Sequence, residues 1–199
     1  MFEIRKTPFA AGCAIAAVLA GGSPQRAEAK SPIQLTATFE EQGRAAAKDA
    51  GSCTAVFVET LDERRSPETT GVIGKRAILA PKDSTRWMRA VLSGLPARGV
   101  AVRFAAAEKS EVAATFRFRT AWIDENPSTY DANVVVMLEA KAPSGSALTQ
   151  SYRGRASRGT YFSGGGDVMQ KAIDGAFAKA LDQMATDLKR LCAGELPAA

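Results

Sequence analysis

Histidine is absent from the 199 residues of this sequence. It is the commonest general base and zinc ligand in proteins, and Ser–His and Cys–His nucleophile pairs depend on it. The usual hydrolase and zinc-enzyme sites are therefore disfavoured, and we expect no catalytic residue, no metal site and no cofactor. A serine with a lysine base is the remaining route to a hydrolase, but nothing marks one serine above the others.

Long apolar runs are missing after the start of the chain. Residues 1–29 have the pattern of a secretory signal peptide: two basic residues, an uncharged run over 8–22, and small residues around a cleavage site after Ala29. The run is shorter than the roughly 20 residues that cross a bilayer as a helix. We expect a periplasmic or secreted protein. An outer-membrane lipoprotein anchored through Cys13 is the alternative, although most of the apolar run follows that residue.

Cysteine is scarce, and cleavage after Ala29 would leave only Cys53 and Cys192. An even pair in an oxidising compartment predicts a disulfide, whereas two buried reduced thiols are the alternative. A terminal helix packed antiparallel to the first predicted strand would bring the two residues together. Such a bridge closes a loop of about 140 residues, for which chain entropy gives on the order of 4–5 kcal/mol before strain is subtracted.

Basic residues outnumber acidic ones only moderately, 26 to 21, for a net charge of +5 and a pI near 9.3. This excess favours anionic surfaces but is too small for a dedicated nucleic-acid-binding protein, so we expect no nucleic-acid partner.

Three motifs that suggest chemistry have simpler interpretations. Residues 71–76, GVIGKR, lack the spacing and the hydroxyl of a phosphate-binding loop. Adjacent carboxylates occur at Asp62-Glu63 and at Asp124-Glu125, in predicted loops where such pairs usually face water. None of the three predicts a catalytic site.

The chain after the signal peptide reads as one domain with two flanking segments. Residues 30–52 predict a peripheral N-terminal arm, partly extended around IQLTATF and helical around EEQGRAAAKDA; residues 53–193 predict a single α+β domain; and residues 194–199 predict a C-terminal tail. Hydrophobic periodicity within the domain predicts strands over 54–60, 100–104, 112–122, 132–141 and 148–156, and helices from Asp83 or Ser84 to about Leu95 and over 167–191, the second capped by Asp167.

This order, β-α-β-β-β-β-α, implies a two-layer sandwich with a mostly antiparallel sheet and both helices on one face. Alternation within 112–122 places Phe116, Phe118 and Trp122 on one side of their strand.

Four arginines form the candidate binding site. Arg117 and Arg119 lie two residues apart on one predicted strand, and Arg153 and Arg155 do so on another. If these strands flank 132–141 in a meander, the four side chains share the face without helices. They would then bind an anionic lipid, lipopolysaccharide phosphates or an acidic partner. The alternative is an ordinary solvated face neutralised by Glu139 and other acids.

Several features in order resemble the YajG-like periplasmic lipoproteins and, more distantly, the auxiliary components of lipid-exporting ABC systems. They are the turn Asp62-Glu63-Arg64, the GVIG segment, the Trp-bearing stretch STRWMRAVLSGLPARGVAVRF, the SYRG strand and the amphipathic last helix. The resemblance implies a small α+β protein of the envelope that is not an enzyme and docks to an envelope protein partner. The expected function is therefore an accessory or interaction subunit in envelope maintenance or transport, with binding of anionic lipid or polysaccharide as the alternative.

Overall fold

The computed structural model describes residues 31–41, 53–159 and 165–195. The strands are β1 (Ile33–Gln34), β2 (Thr54–Asp62), β3 (Thr69–Ile73), β4 (Arg76–Leu79), β5 (Ala101–Arg103), β6 (Val112–Glu125), β7 (Thr129–Lys141) and β8 (Ala147–Gly159). The helices are α1 (Ser84–Leu92) and α2 (Gly166–Cys192), and a 3₁₀ turn, Pro96–Arg98, follows α1. The predicted signal peptide, Cys13, residues 42–52 of the arm and most of the predicted tail lie outside the described residues.

These strands join one sheet that forks beyond β6. β6, β7 and β8 form the antiparallel meander that the sequence predicts. The other edge of β6 is shared, because β2 runs parallel to it as far as Phe118 and β3 meets it at Ile123. One branch continues from β2 to β5, and the other continues from β3 through β4 to β1. The α+β class is confirmed, and the sheet is mixed because the branches add parallel ladders to the meander.

Both helices cover the same face of the sheet. α2 packs on β6, β7 and β8, while α1 packs on β2. Trp87 of α1 joins the layers, since its ring lies 5.2 Å from that of Phe118 on β6 and 5.4 Å from that of Phe177 on α2. Edge-to-face packing of this kind adds to the free energy gained by burial. The helix-bearing face is thus the hydrophobic core.

The ends of the helices agree with the sequence at one site and differ at another. Asp83 caps α1 as predicted, because its Oδ1 accepts a hydrogen bond from the Arg86 N–H at 2.8 Å. Gly165 occupies the N-cap of α2 without a side-chain hydrogen bond, so the prediction of an Asp167 cap was wrong. Asp167 lies in the first turn instead, where its charge favours the positive end of the helix dipole.

The N-terminal arm is less peripheral than its sequence suggests. Ile33 and Leu35 are buried in the core, and Phe39 packs against it. Polar residues of the same segment contact α2: the Thr36 N–H donates to Gln170 Oε1 at 3.0 Å. The alternating sequence of this segment therefore places one set of side chains in the core and leaves the other to bond to the helix.

The hairpin of β3 and β4 has no counterpart in the predicted element order. It contains the GVIG segment, and Gly74 takes a φ of +56° at the two-residue turn between the strands. Hairpin turns of this length require a positive φ, which glycine adopts without steric cost. The strands are too short for their alternation to stand out in the sequence.

A disulfide joins the start of β2 to the end of α2. The Sγ atoms of Cys53 and Cys192 are 2.10 Å apart, and their Cα atoms are 5.6 Å apart. The bond spans 139 residues and so ties the last helix to the first strand of the domain.

Candidate interaction surface

The face of the sheet opposite the helices is open to solvent along β6, β7 and β8. We call it the helix-free face. On β7 it carries the odd-numbered residues, which are half-buried, whereas the even-numbered residues from Tyr130 to Ala140 are buried beneath the helices. On β8 it likewise carries the odd-numbered residues. The four predicted arginines are exposed or half-buried on β6 and β8, and the structure places them on this face.

Two of these arginines are already paired with carboxylates. Arg117 donates from Nη1 to Glu63 Oε1 at 2.6 Å and from Nε to Glu139 Oε1 at 2.9 Å. These hydrogen bonds, that of Glu139 first, raise the pKa of the Arg117 guanidinium. Arg119 lies 2.9 Å from the other oxygen of Glu63. The charges of the two β6 arginines are therefore largely neutralised. This agrees, for β6, with the alternative prediction of a solvated face neutralised by Glu139 and other acids.

The other two arginines have no such partners. Arg153 is in register with Val135, and Arg155 is in register with Asn133, so neither lies directly opposite an acidic residue. Asp131, on the same face of β7, lies diagonally across from Arg155. Both are exposed, and within the described ranges neither makes an ion pair. The β8 side of the face therefore keeps two available positive charges at a spacing of two residues.

Trp122 also lies on the helix-free face, so its predicted position beside Phe116 and Phe118 was wrong. A β-bulge causes the difference: Phe118 is in register with Val136 but Thr120 with Val135, which inserts one residue into β6. The insertion reverses the alternation beyond it. The side chain of Trp122 is left exposed, and its Nε1–H donates to Asp124 Oδ1 at 2.7 Å.

The exposed indole and the free arginines lie close together. Trp122, Asn133 and Arg155 occupy one row across three neighbouring strands. With strands about 4.8 Å apart, the outer two residues of the row are separated by about 10 Å at the backbone. An aromatic ring beside guanidinium groups is typical of protein interfaces, in which Trp and Arg are enriched.

A groove of about 400 Å³ opens where the sheet forks between β2 and β3. Arg64, Arg65, Arg119 and Trp122 contribute to its lining. The guanidinium of Arg64 is buried and forms two hydrogen bonds with the carboxylate of Asp62, at 2.8 and 2.7 Å. It also lies over the rings of Phe118 and Trp87, at 4.6 and 5.4 Å.

The pair Asp62-Glu63 is therefore not a solvated loop, and that prediction was wrong. Burial alone would raise the pKa of the Asp62 carboxyl, but hydrogen bonds and charge from Arg64 outweigh burial and hold that pKa below 3.8. Glu63 bridges two arginines, as described above. The DER turn thus supports the junction of β2 with β6, a role that its acidic residues alone did not indicate.

A second polar cluster lies on the helix side, beneath the N-terminal arm. Asp174 of α2 is buried and accepts hydrogen bonds from Gln170 Nε2 at 3.0 Å and from the Glu40 N–H at 3.3 Å. Burial raises its pKa to about 7. Arg98, also buried, pairs with Glu41 at 2.7 Å and with Asp182 at 2.9 Å. These contacts connect the arm, the 3₁₀ turn and α2.

Comparisons with known proteins add no family assignment. No family model matches the chain, and no curated protein matches it. Among solved structures, the chain is similar to a Xanthomonas campestris protein of the DUF330 family model, with 14% identity, a TM-score of 0.39 and coverage of 83% of this chain and 95% of that one.

Two other similar structures come from Helicobacter pylori and Acinetobacter baumannii. A homologue of neuraminyllactose-binding hemagglutinin from Helicobacter pylori has 11% identity, a TM-score of 0.41 and coverage of 82% and 96% of the two chains. A minor lipoprotein from Acinetobacter baumannii has 12% identity, a TM-score of 0.33 and coverage of 71% and 97%. At these identities and scores the similarities do not indicate a function. Neither helix in the described ranges is long and apolar enough to span a membrane.

Proposed function

We propose that this protein is a secreted, non-enzymatic accessory subunit of the cell envelope that binds a protein partner through its helix-free face. The observation that carries the proposal is the combination on this face of an exposed Trp122 with two unpaired, exposed arginines, Arg153 and Arg155. The opposite face is covered by α1, α2 and the arm, so the helix-free face is the broad sheet surface available for binding.

The chemistry of this surface favours an acidic protein partner. Indole and guanidinium groups supply the contacts that dominate many interfaces, and the two free charges steer an anionic surface toward β8. The signal peptide pattern of residues 1–29 and the disulfide between Cys53 and Cys192 support an envelope location.

Photo-crosslinking in the living host tests the proposal. A photoreactive residue that keeps an aromatic ring, such as benzoylphenylalanine, in place of Trp122 should yield a discrete crosslinked protein, whereas the same residue in place of Lys189, exposed on α2, should not. Crosslinking at Lys189 to the same extent, or no product at Trp122, would contradict binding through the helix-free face.

Binding of anionic lipid or lipopolysaccharide through Arg153 and Arg155 is the second candidate, and the same free charges favour it. Vesicles containing an anionic lipid should then retain the protein in a salt-dependent manner, and neutral vesicles should not. Substituting both arginines with alanine should abolish the difference. Equal retention on the two kinds of vesicle would exclude this candidate.

A further inference from the structure

The outer edge of β8 is an extended backbone surface. β8 is 13 residues long and, within the described part of the chain, pairs with β7 alone. Edge strands of this length are usually shortened, covered or disrupted, because their free N–H and C=O groups pair readily with another chain. Among the described residues no further strand covers this edge, and the exposed Arg153 and Arg155 restrict which chains can pair with it.

The register shows which backbone groups point outward. The Ala142 N–H donates to the Ser146 carbonyl at 2.8 Å, so this pair, which continues the β7–β8 register, is a hydrogen-bonded pair. Bonded and non-bonded pairs alternate along an antiparallel ladder, so the even-numbered residues of β8 are the ones bonded to β7. The odd-numbered residues then direct both backbone groups away from β7. Consistent with this, the Arg153 carbonyl accepts a hydrogen bond from Gln183 Nε2 of α2, at 3.0 Å.

The same odd-numbered residues carry the free charges. An added strand would bond to the backbone of Ser151 and Arg155 and to the Arg153 N–H, and it would replace Gln183 Nε2 at the Arg153 carbonyl. Every second one of its side chains would lie on the helix-free face beside the two guanidiniums. Acidic residues at alternate positions of the added strand would neutralise both arginines.

A second copy of this chain fits the edge poorly. Antiparallel pairing of the whole of β8 with β8 of a second copy is centred on Arg153, so it would set Arg153 of one copy directly against Arg153 of the other. Like charges directly opposite each other destabilise a strand pair. Charge complementarity therefore favours a different chain.

We propose that the outer edge of β8 binds an extended segment of a partner protein as an added strand, with acidic side chains at alternate positions paired to Arg153 and Arg155. The proposal rests on the proposed function, whose partner it describes more closely. It is separable from that function, because a partner can contact the helix-free face through side chains alone.

Amide hydrogen exchange with a model peptide tests the edge directly. The probe is a synthetic peptide of about eight alternating Glu and Thr residues, an ordinary strand length. Its control carries Lys in place of Glu. The acidic peptide should slow exchange at the amides of Ser151, Arg153 and Arg155 by about tenfold or more, the equivalent of about 1.4 kcal/mol. The amides of Tyr152 and Gly154, already bonded to β7, should not change.

A proline variant provides the second readout. Ser151→Pro removes an outward N–H without removing a β7 hydrogen bond, so it should weaken peptide binding by about tenfold, while Ser151→Ala, which keeps the N–H, should not. If Ser151→Pro fails to fold, Thr149→Pro near the start of the strand serves in its place.

The outcomes separate the two proposals. Crosslinking from the Trp122 position with no protection of the odd-numbered amides and no effect of the proline overturns the edge proposal alone. Loss of crosslinking as well overturns both. Protection by the Lys peptide equal to that by the Glu peptide would overturn the acidic character of the partner.

Discussion

At the scale of single residues, the buried ion pair between Asp62 and Arg64 predicts a large effect on stability. The Arg64 side chain is 3% exposed, and its guanidinium lies between a carboxylate and two aromatic rings, so its charge depends on Asp62 for compensation. Removing one partner of a buried ion pair leaves the other charge uncompensated. Asp62→Ala should therefore lower the free energy of unfolding by about 3–5 kcal/mol, measured by urea denaturation.

Arg64→Met is the matched variant, because it keeps an apolar chain over Phe118. The carboxylate that it leaves, Asp62, is more exposed than Arg64, at 12% against 3% of the side chain, and also bonds to Ser84. Arg64→Met should therefore cost clearly less than Asp62→Ala. Equal losses from the two variants would show that packing, and not charge compensation, determines the stability of this turn.

Asp174 should make the stability of the protein depend on pH. Burial raises the pKa of Asp174 to about 7, from 3.8 for the ordinary carboxyl. Because the folded value is the higher one, folding disfavours the ionised form. The contribution of Asp174 to the free energy of unfolding is therefore fully present below about pH 4 and is lost as the pH rises through about 7.

Asp174→Asn should remove this dependence. The amide keeps an acceptor for the Glu40 N–H, loses the hydrogen bond from Gln170 Nε2 and carries no charge. At about pH 8 the free energy of unfolding of the variant should therefore exceed that of the unsubstituted protein by on the order of 1–3 kcal/mol. Urea denaturation at about pH 5 and about pH 8 measures the difference. The same pH dependence in both proteins would count against Asp174 as its source.

At the scale of elements, the contact between α2 and β8 is close enough to require a glycine. A Cβ built on Gly154 would lie 1.7 Å from the carbonyl oxygen of Ala176, a backbone atom that cannot move without the helix. Gly154→Ala should therefore destabilise the fold by about 3 kcal/mol or more in urea denaturation. Gly166→Ala is the control and should not destabilise the fold, because Gly166 lies inside the first turn of α2 and a Cβ there meets only Ile33, at 3.6 Å. A small effect at Gly154 would mean that α2 sits farther from β8.

The disulfide connects two elements that are far apart in sequence. Opening it by the double substitution Cys53→Ser and Cys192→Ser should cost about 2–5 kcal/mol and lower the melting temperature by many degrees. Thiol labelling of the protein purified from its host should find neither cysteine free. Labelling of both cysteines in the unsubstituted protein, together with an unchanged melting temperature in the double variant, would contradict a stabilising disulfide.

Elements with long, regular patterns could be predicted from the sequence, and local irregularities could not. α2 begins and ends within one residue of its predicted bounds, because its apolar spacing extends over seven turns. The central position of β7 followed from its continuous apolar run. The bulge in β6 inserts a residue without altering composition, so strict alternation placed Trp122 on the wrong face. No local pattern reveals such an insertion.

The shared face of the four arginines could be predicted from the sequence, and their pairing could not. The meander and the period of two were enough to place the four arginines on one face. Their pairing depends on residues distant in sequence: Glu63 reaches Arg117 and Arg119 only because β2 runs parallel to β6. Which arginines are paired and which are not therefore depends on the register between strands that are distant in the sequence.

At the scale of the whole molecule, the two faces of the sheet have different compositions. One is closed by the helices, the arm and the disulfide, which together fix the sheet. The other presents Trp122 and the exposed side chains of Arg153 and Arg155. We propose that these two charges mediate recognition of a partner protein in the envelope.

Charge reversal tests that claim most directly. Arg153→Glu with Arg155→Glu, introduced in the host, should abolish crosslinking from the Trp122 position while leaving the melting temperature within about 4 °C, because both side chains are exposed and unpaired. Lys82→Glu with Arg86→Glu, on the helix side, makes the same change in net charge and should preserve the crosslink. An undiminished crosslink in the Arg153/Arg155 variant, or equal loss in the two variants, would contradict the account.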